Sequence, residues 1–557
     1  MIKLNLFLLF IKLVLSKSSV DIKLTDIIQS HKGPVQGKIL NYVQNSSIEY
    51  SAFEAIPFGK PPINELRYQP PIEVEAWSET LMATSNAPYC PQIGNDGTVI
   101  GDEDCLYLNV YSPLTTFNDI SDNNLLAVIV WIYGGSFAWG TITSKIYGPD
   151  FIVSDNVVLV NMNYRLGPLG YLTLDIPEAT GNMGMKDQVL ALKWVQKNIK
   201  KFGGDPNKVT IFGQSSGSDS AMLHQLSPAA KGLFRGVIAM SGVPLNPWGF
   251  SSIPRAMEQA FDIGRRIGFD TFDKIELYKR LKNATVDELV YATDNQTDSK
   301  YQIPTFGPTY ENPSIAKDIF LSQCPLRIYQ SGDFFKIPII LGYTNAEALY
   351  FVNYTEYVDS VRDSKKYLKI IGLENSPNFD IFNTILKNSD VNENDIDLQM
   401  LYAAINTTTD FSFVAGIDSV QRYNVQHSTS PIYYYQNSFD YKESRHRLAG
   451  NELNGTAHSD DLLQIFWYKN QPLNPNSRIG IQRRKMARLF TNFAKYLNPT
   501  PNGTSDPLLN VAWMPSGPEG LQLEIGNGNL TMVPRTISDT VKELQSSLEL
   551  YESLTCS

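Results

Sequence analysis

The sequence predicts an α/β protein with a central, mostly parallel sheet covered by helices on both faces. Three observations carry this. Apolar runs bounded by turn residues recur along the chain, as expected of strands buried on both sides. Amphipathic stretches of helical period lie between them. No internal repeat, charge block or low-complexity linker divides the 557 residues, so one domain is expected from 19 to 557.

Taken in order, residues 1–18 carry Lys3, an apolar run broken by Lys12, and then Ser16 and Ser18. That is a secretory leader, shorter than a membrane span. Stable membrane insertion after its removal is not expected, and the product should be secreted. Sequons at Asn45, Asn283, Asn295, Asn353, Asn406, Asn454, Asn502 and Asn529 agree with that route. So does an even set of four cysteines. Cys90 and Cys105 are near enough to close a small loop. Cys324 and Cys556 pair with each other, or Cys556 bridges to another chain.

The expected strands are Leu125 to Tyr133, Val157 to Val160, Val209 to Phe212, Gly236 to Met240, Ile337 to Leu341 and Ile432 to Tyr435. A helix is expected from Met185 to Lys201, where Val189, Leu192, Val195 and Ile199 recur at helical spacing, with Phe202 to Pro206 ending it. Hydrophobic residues make up 43% and charged residues 19%, enough for a large core. Net charge is −10 and no basic face is evident, so nucleic acid is not an expected partner. No His/Cys cluster has metal-ligand spacing, so no metal and no organic cofactor is expected. The oligomeric state is left open.

The chemistry centres on Gly213-Gln214-Ser215-Ser216-Gly217, which follows the Val209–Phe212 run and precedes a helix expected from Ser218 to Leu226. Gly-x-Ser-x-Gly between strand and helix is a nucleophile elbow. The glycines permit a tight turn that exposes the serine at a helix N-terminus, where the Ser216 amide faces a developing oxyanion.

The segment from Gly181 to Gly217 resembles the type-B carboxylesterase/lipase family, which includes the cholinesterases. Three further segments match in family order: Glu103 to Val110, Trp131 to Gly135, and Asn163 to Gly167. The resemblance spans about Gly33 to Pro534. It implies an α/β-hydrolase fold and a serine ester hydrolase that forms an acyl-enzyme.

Serine needs a base, and the chain offers five histidines. His31 precedes the main body, His224 follows the elbow as a packed or surface residue, and His427 lies in a polar stretch. His446 sits between Arg445 and Arg447, whose charges disfavour an imidazolium. His458, within Gly455 to Asp461, resembles the family's histidine loop, most nearly the version in fungal lipases and esterases. Glu347 ends the segment from Ile339 and fits the family's acid, in the chain order Ser, acid, His. Asp460 and Asp461 are closer rivals in sequence, but are expected to cap the next helix.

The resemblance also assigns oxyanion donors to Gly135, Ser136 and Ser216, where the family usually has glycine, glycine and alanine. Ser136 restricts the backbone and narrows the site. Gln214 replaces the usual glutamate, which weakens attraction for cationic substrates. Ser241 and Trp248 resemble the supporting serine and acyl-pocket tryptophan, and Trp248 reads equally well as core. The Cys90–Cys105 loop has no aromatic residue to bind choline and is too short and polar for a lipase lid. Short-to-medium acyl esters are therefore expected. The alternatives are a triacylglycerol lipase and a non-catalytic cholinesterase-like binding protein.

Overall fold

Three antiparallel strands begin the described chain: β1 (Leu24–Gln29), β2 (Pro34–Tyr42) and β3 (Asn45–Pro57). The computed structural model describes residues 22–294, 306–351, 402, 405–469, 471–546 and 556. The leader and the sequons at Asn295 and Asn353 lie outside the described residues.

Strand β4 (Tyr107–Ser112) links this meander to the parallel core. That core comprises β5 (Leu126–Ile132), β6 (Val158–Met162), β7 (Gly204–Gln214), β8 (Gly236–Met240), β9 (Ile339–Thr344), β10 (Ile432–Asn437) and β11 (Leu521–Ile525). Strand β12 (Thr531–Pro534) closes the far edge antiparallel. The spatial order is β1-β2-β3-β4-β6-β5-β7-β8-β9-β10-β11-β12. All pairs from β6 to β11 are parallel.

Central strands are apolar because helices cover both faces. All five residues of β6 and of β8 are buried. One contiguous hydrophobic cluster runs from Ile28 to Val541. At its centre Trp131 on β5 meets Phe212 on β7 and Phe466, with ring centroids 4.7 Å away in each case. Arg165 and Asp187 form a buried two-pronged ion pair at 2.8 and 2.7 Å, which satisfies both charges away from water.

The helix expected from Met185 to Lys201 is α1 (Met183–Asn198), followed by a 3₁₀ turn Ile199–Phe202. Gly203 ends it at φ 85°, accepting the left-handed geometry that a side chain resists. Strand β7 is longer than its apolar run because Gly204 pairs with Leu126 before the polar residues that precede Val209 interrupt the register. Strand β9 begins two residues late, after Pro338, which has no amide to give the ladder, and extends to Thr344. Cys90 is bonded to Cys105, with Cα atoms 5.1 Å apart, and Cys324 to Cys556, at 5.3 Å.

Candidate active site

Ser215, Gly135 and Glu347 all stand just beyond the carboxyl ends of parallel strands, the side where open α/β sheets build their sites. Ser215 follows β7 with φ 58° and ψ −130°, a backbone shape that side chains resist and that persists only under enforcement. The enforcement is local. A Cβ on Gly213 would lie 2.1 Å from Gly217 O, and one on Gly217 would lie 2.1 Å from Ile132 O. The Ser215 amide donates to Met240 O on β8 at 2.9 Å. Helix α2 (Ser216–Leu226) starts on the next residue, two earlier than its apolar pattern suggested.

Glu347 lies three residues beyond β9 and is wholly buried. Its Oε2 accepts from His458 Nδ1 at 2.6 Å. Its Oε1 accepts from the Thr344 amide at 2.7 Å and from the Ser241 hydroxyl. Each carboxylate oxygen is therefore occupied and the group cannot rotate. His458, itself buried, also donates its backbone N–H to Glu347 O at 3.2 Å. With the proton held on Nδ1, Nε2 is the nitrogen that accepts.

Gln214 is buried, and its Nε2 lies 3.2 Å from His458 Nε2. An amide N–H can only donate, so the lone pair of His458 Nε2 is the acceptor. The exchange of glutamate for Gln214 thus puts a neutral donor where a carboxylate would favour the charged ring.

The loop after β5 places Gly135, Ser136 and Phe137 at φ 127°, 55° and 58°, three left-handed residues in succession. Gly135 is obligatory, since a Cβ would lie 2.0 Å from Trp139 O. Ser136 is exposed, and its backbone at φ 55° is one that a side chain resists. Among the described residues, the amides of Gly135, Ser136 and Ser216 have no protein acceptor. Ser216 also ties the loop to α2, because its Oγ accepts from the Phe137 amide at 3.3 Å.

Motifs that family likeness picked out brace this loop. Tyr164 stacks on Tyr133 at 4.5 Å and donates its OH to Tyr133 O at 2.7 Å. The Gly167 amide donates to Phe137 O at 2.7 Å. Inside the Cys90–Cys105 loop, a small hairpin pairs Gln92–Ile93 with Val99–Ile100. Gln92, which no motif marked, exchanges two hydrogen bonds with Gly140, at 2.8 and 2.9 Å. A loop expected only to shape the entrance therefore also holds the glycine-rich turn.

Trp248 donates Nε1 to Ser412 O at 2.8 Å, and its ring lies 5.7 Å from Phe413. Phe413 also packs against His458, with ring centroids 4.9 Å apart, and Tyr350 meets the same imidazole edge-on at 5.9 Å. Phe413 went unrecognised in the sequence because it sits in a π-helical turn, Asp410–Val414, that leaves no hydropathy signature.

The other polar candidates resolve differently. His224 is a packed residue; burial pushes its pKa down to about 3, and Nε2 faces Gln188 Oε1 at 2.9 Å. Asp460 does not cap the following 3₁₀ turn. Its carboxylate faces His446 Nδ1 at 2.5 Å and accepts from the Ala457 amide at 2.7 Å. His446 is thus engaged by Asp460 and is not part of the Glu347–His458 pair. Asp461 caps nothing either. Burial, with Glu347 and Asp460 nearby, holds its pKa well above the carboxylate range.

A carboxylesterase family model matches residues 24–532. The chain belongs to the carboxylesterase family. It is 33% identical over 529 residues to a juvenile hormone esterase of Tribolium castaneum, covering 87% of this chain and 85% of that one. It is 30% identical over 550 residues to venom carboxylesterase-6 of Apis mellifera, covering 95% and 94% respectively. Among solved structures, juvenile hormone esterase from Manduca sexta with OTFP covalently attached gives a TM-score of 0.81 at 26% identity. That match covers 95% of this chain and 100% of the other. This carboxylesterase is a serine carboxylic ester hydrolase of the α/β-hydrolase fold, and its substrates are small esters. Among the described residues no helix is long and apolar enough to cross a membrane.

Proposed function

We propose that Ser215, His458 and Glu347 form the catalytic triad of a secreted carboxylesterase for short-to-medium acyl esters. The observation that carries this reading is the 2.6 Å contact between Glu347 Oε2 and His458 Nδ1, which turns the bare Nε2 toward the Gln214–Ser215 elbow.

Ser215 Oγ attacks the ester carbonyl carbon while His458 Nε2 takes the hydroxyl proton. The amides of Gly135, Ser136 and Ser216 receive the oxyanion; loss of one such donor raises a barrier by about 3–4 kcal/mol. Glu347 stabilises the imidazolium without accepting its proton. Collapse expels the alcohol, which takes the proton from Nε2 and leaves an acyl-serine. Water, deprotonated by His458, repeats the sequence and frees the acid.

The short, polar Cys90–Cys105 hairpin supports soluble esters over an oil surface. Exposure of Asn45, Asn283, Asn406, Asn454, Asn502 and Asn529 suits glycosylation along a secretory route. The test compares p-nitrophenyl butyrate, p-nitrophenyl palmitate and, because two relatives are juvenile hormone esterases, juvenile hormone, each with Ser215→Ala as control. Butyrate turnover lost in the variant supports the proposal. Preference for palmitate makes the protein a lipase, and Ser215-independent turnover removes the triad.

A further inference from the structure

The loop that carries His458 is held from behind by a second histidine–carboxylate pair. His446 and Asp460 are 3% and 0% exposed. The His446 ring faces Asp460 Oδ2 through Nδ1 at 2.5 Å, and Leu453 O through Nε2 at 3.1 Å. Leu453 precedes His458 and Asp460 follows it, so one imidazole spans both ends of the loop. Each ring nitrogen meets an oxygen acceptor, and both are satisfied together only when both carry protons. Ser444 Oγ also lies 3.1 Å from Nδ1.

Asp460 completes the clamp. It accepts from the His446 amide at 3.1 Å and from the Ala457 amide at 2.7 Å, next to His458 in the chain. Tyr441 OH donates to Asp460 O at 2.6 Å. On the opposite side the loop is tied to the acid's own loop: the Thr456 amide donates to Asn345 Oδ1 at 2.9 Å, and the Ala346 amide to Thr456 O at 3.1 Å. Gly455 at φ 133° and Ser459 at φ 72° turn the chain on either side of His458. The segment that carries the His458 imidazole is therefore tied on two sides, in addition to its own bonds to Glu347.

We infer that His446, through its hydrogen bond to Asp460, is a positioning residue for His458: it sets the distance and angle of that imidazole rather than touching substrate. Such small displacements matter because proton transfer depends steeply on the geometry of donor and acceptor. The inference rests on His458 being the base.

The test is kcat per active site, with sites counted by titration with an organophosphonate and p-nitrophenyl butyrate as substrate. His446→Ala should lower kcat per site tenfold or more with KM within threefold. His446→Asn, which retains one N–H for Asp460, should recover part of the loss. A kcat per site within threefold of wild type in His446→Ala overturns the inference and leaves a purely structural pair. If His446→Ala does not fold, Asp460→Asn, which keeps the shape and loses the charge, is judged by the same threefold criterion. Ser215→Ala in the same series separates the readings: unchanged turnover there removes the triad, whereas loss there with normal His446 variants removes only this inference.

Discussion

Glu347 and His458, 111 residues apart in the chain, are joined twice, through Oε2 and Nδ1 at 2.6 Å and through the Glu347 carbonyl and the His458 amide at 3.2 Å. The second bond fixes the separation of the two backbones, so that the side-chain contact is made over a set distance. Ser241 Oγ and the Thr344 amide then hold the other carboxylate oxygen.

The Ser241 contact has a measurable consequence. Ser241→Ala removes one donor from a buried carboxylate and frees its rotation, a loss of about 1–3 kcal/mol. We expect kcat to fall about tenfold with KM little changed, read from saturation kinetics on p-nitrophenyl butyrate. A wild-type kcat would show that the Thr344 amide alone suffices.

Two substitutions in the loop after β5, the proposed oxyanion loop, should act in opposite senses. Gly135→Ala forces a methyl group to 2.0 Å from Trp139 O, so the turn must open and kcat should fall about 10²–10³-fold. Ser136→Gly relieves a left-handed non-glycine residue and should raise stability by about 0.5–1 kcal/mol while leaving kcat within threefold. Urea unfolding and steady-state kinetics on both variants check the pair.

Gln214→Glu replaces the amide facing His458 Nε2 with a carboxylate. The charged ring is then stabilised, so the acid limb of kcat/KM should move to higher pH by about 1. Choline-ester turnover should rise with it, since a negative charge now faces the substrate cation. Superimposable pH profiles would contradict this reading of Gln214.

Asp219, buried on α2 with neither oxygen hydrogen-bonded, is held protonated, its pKa raised well above the carboxylate range by burial. In the unfolded chain it ionises near its ordinary value of about 3.9. Its contribution is therefore full below about pH 4 and is lost as pH rises above it. Asp219→Asn should match the wild type at pH 3.5 and become more stable by an increasing margin toward pH 7. Unfolding midpoints at three pH values measure this, and a margin that does not grow with pH would contradict it.

The parallel core, apart from β11 with its mixed sequence LQLEI, was legible because its strands are buried on both faces, so their apolar runs stand out; β8 has the bounds its sequence indicates. The meander β1–β3 and the edge strand β12 were not, since edge and half-exposed strands mix polar residues into every run. In the site, motif and chain order singled out Ser215, Glu347 and His458, and the last two are in contact at 2.6 Å. Gln92, Phe413 and the His446–Asp460 pair were not singled out, because tertiary packing alone brings them to the loops they hold. His446 shows the limit most directly: its neighbours in sequence are two arginines, while its partner in space is a carboxylate 14 residues away.

The central claim is that Ser215 is the nucleophile activated by His458. Intact-protein mass spectrometry after incubation with an organophosphonate tests it most directly. The account predicts one adduct per chain, located on the peptide containing Ser215, absent from Ser215→Ala and formed at least a hundredfold more slowly in His458→Ala. An adduct elsewhere, or one that forms at the wild-type rate without His458, would contradict it.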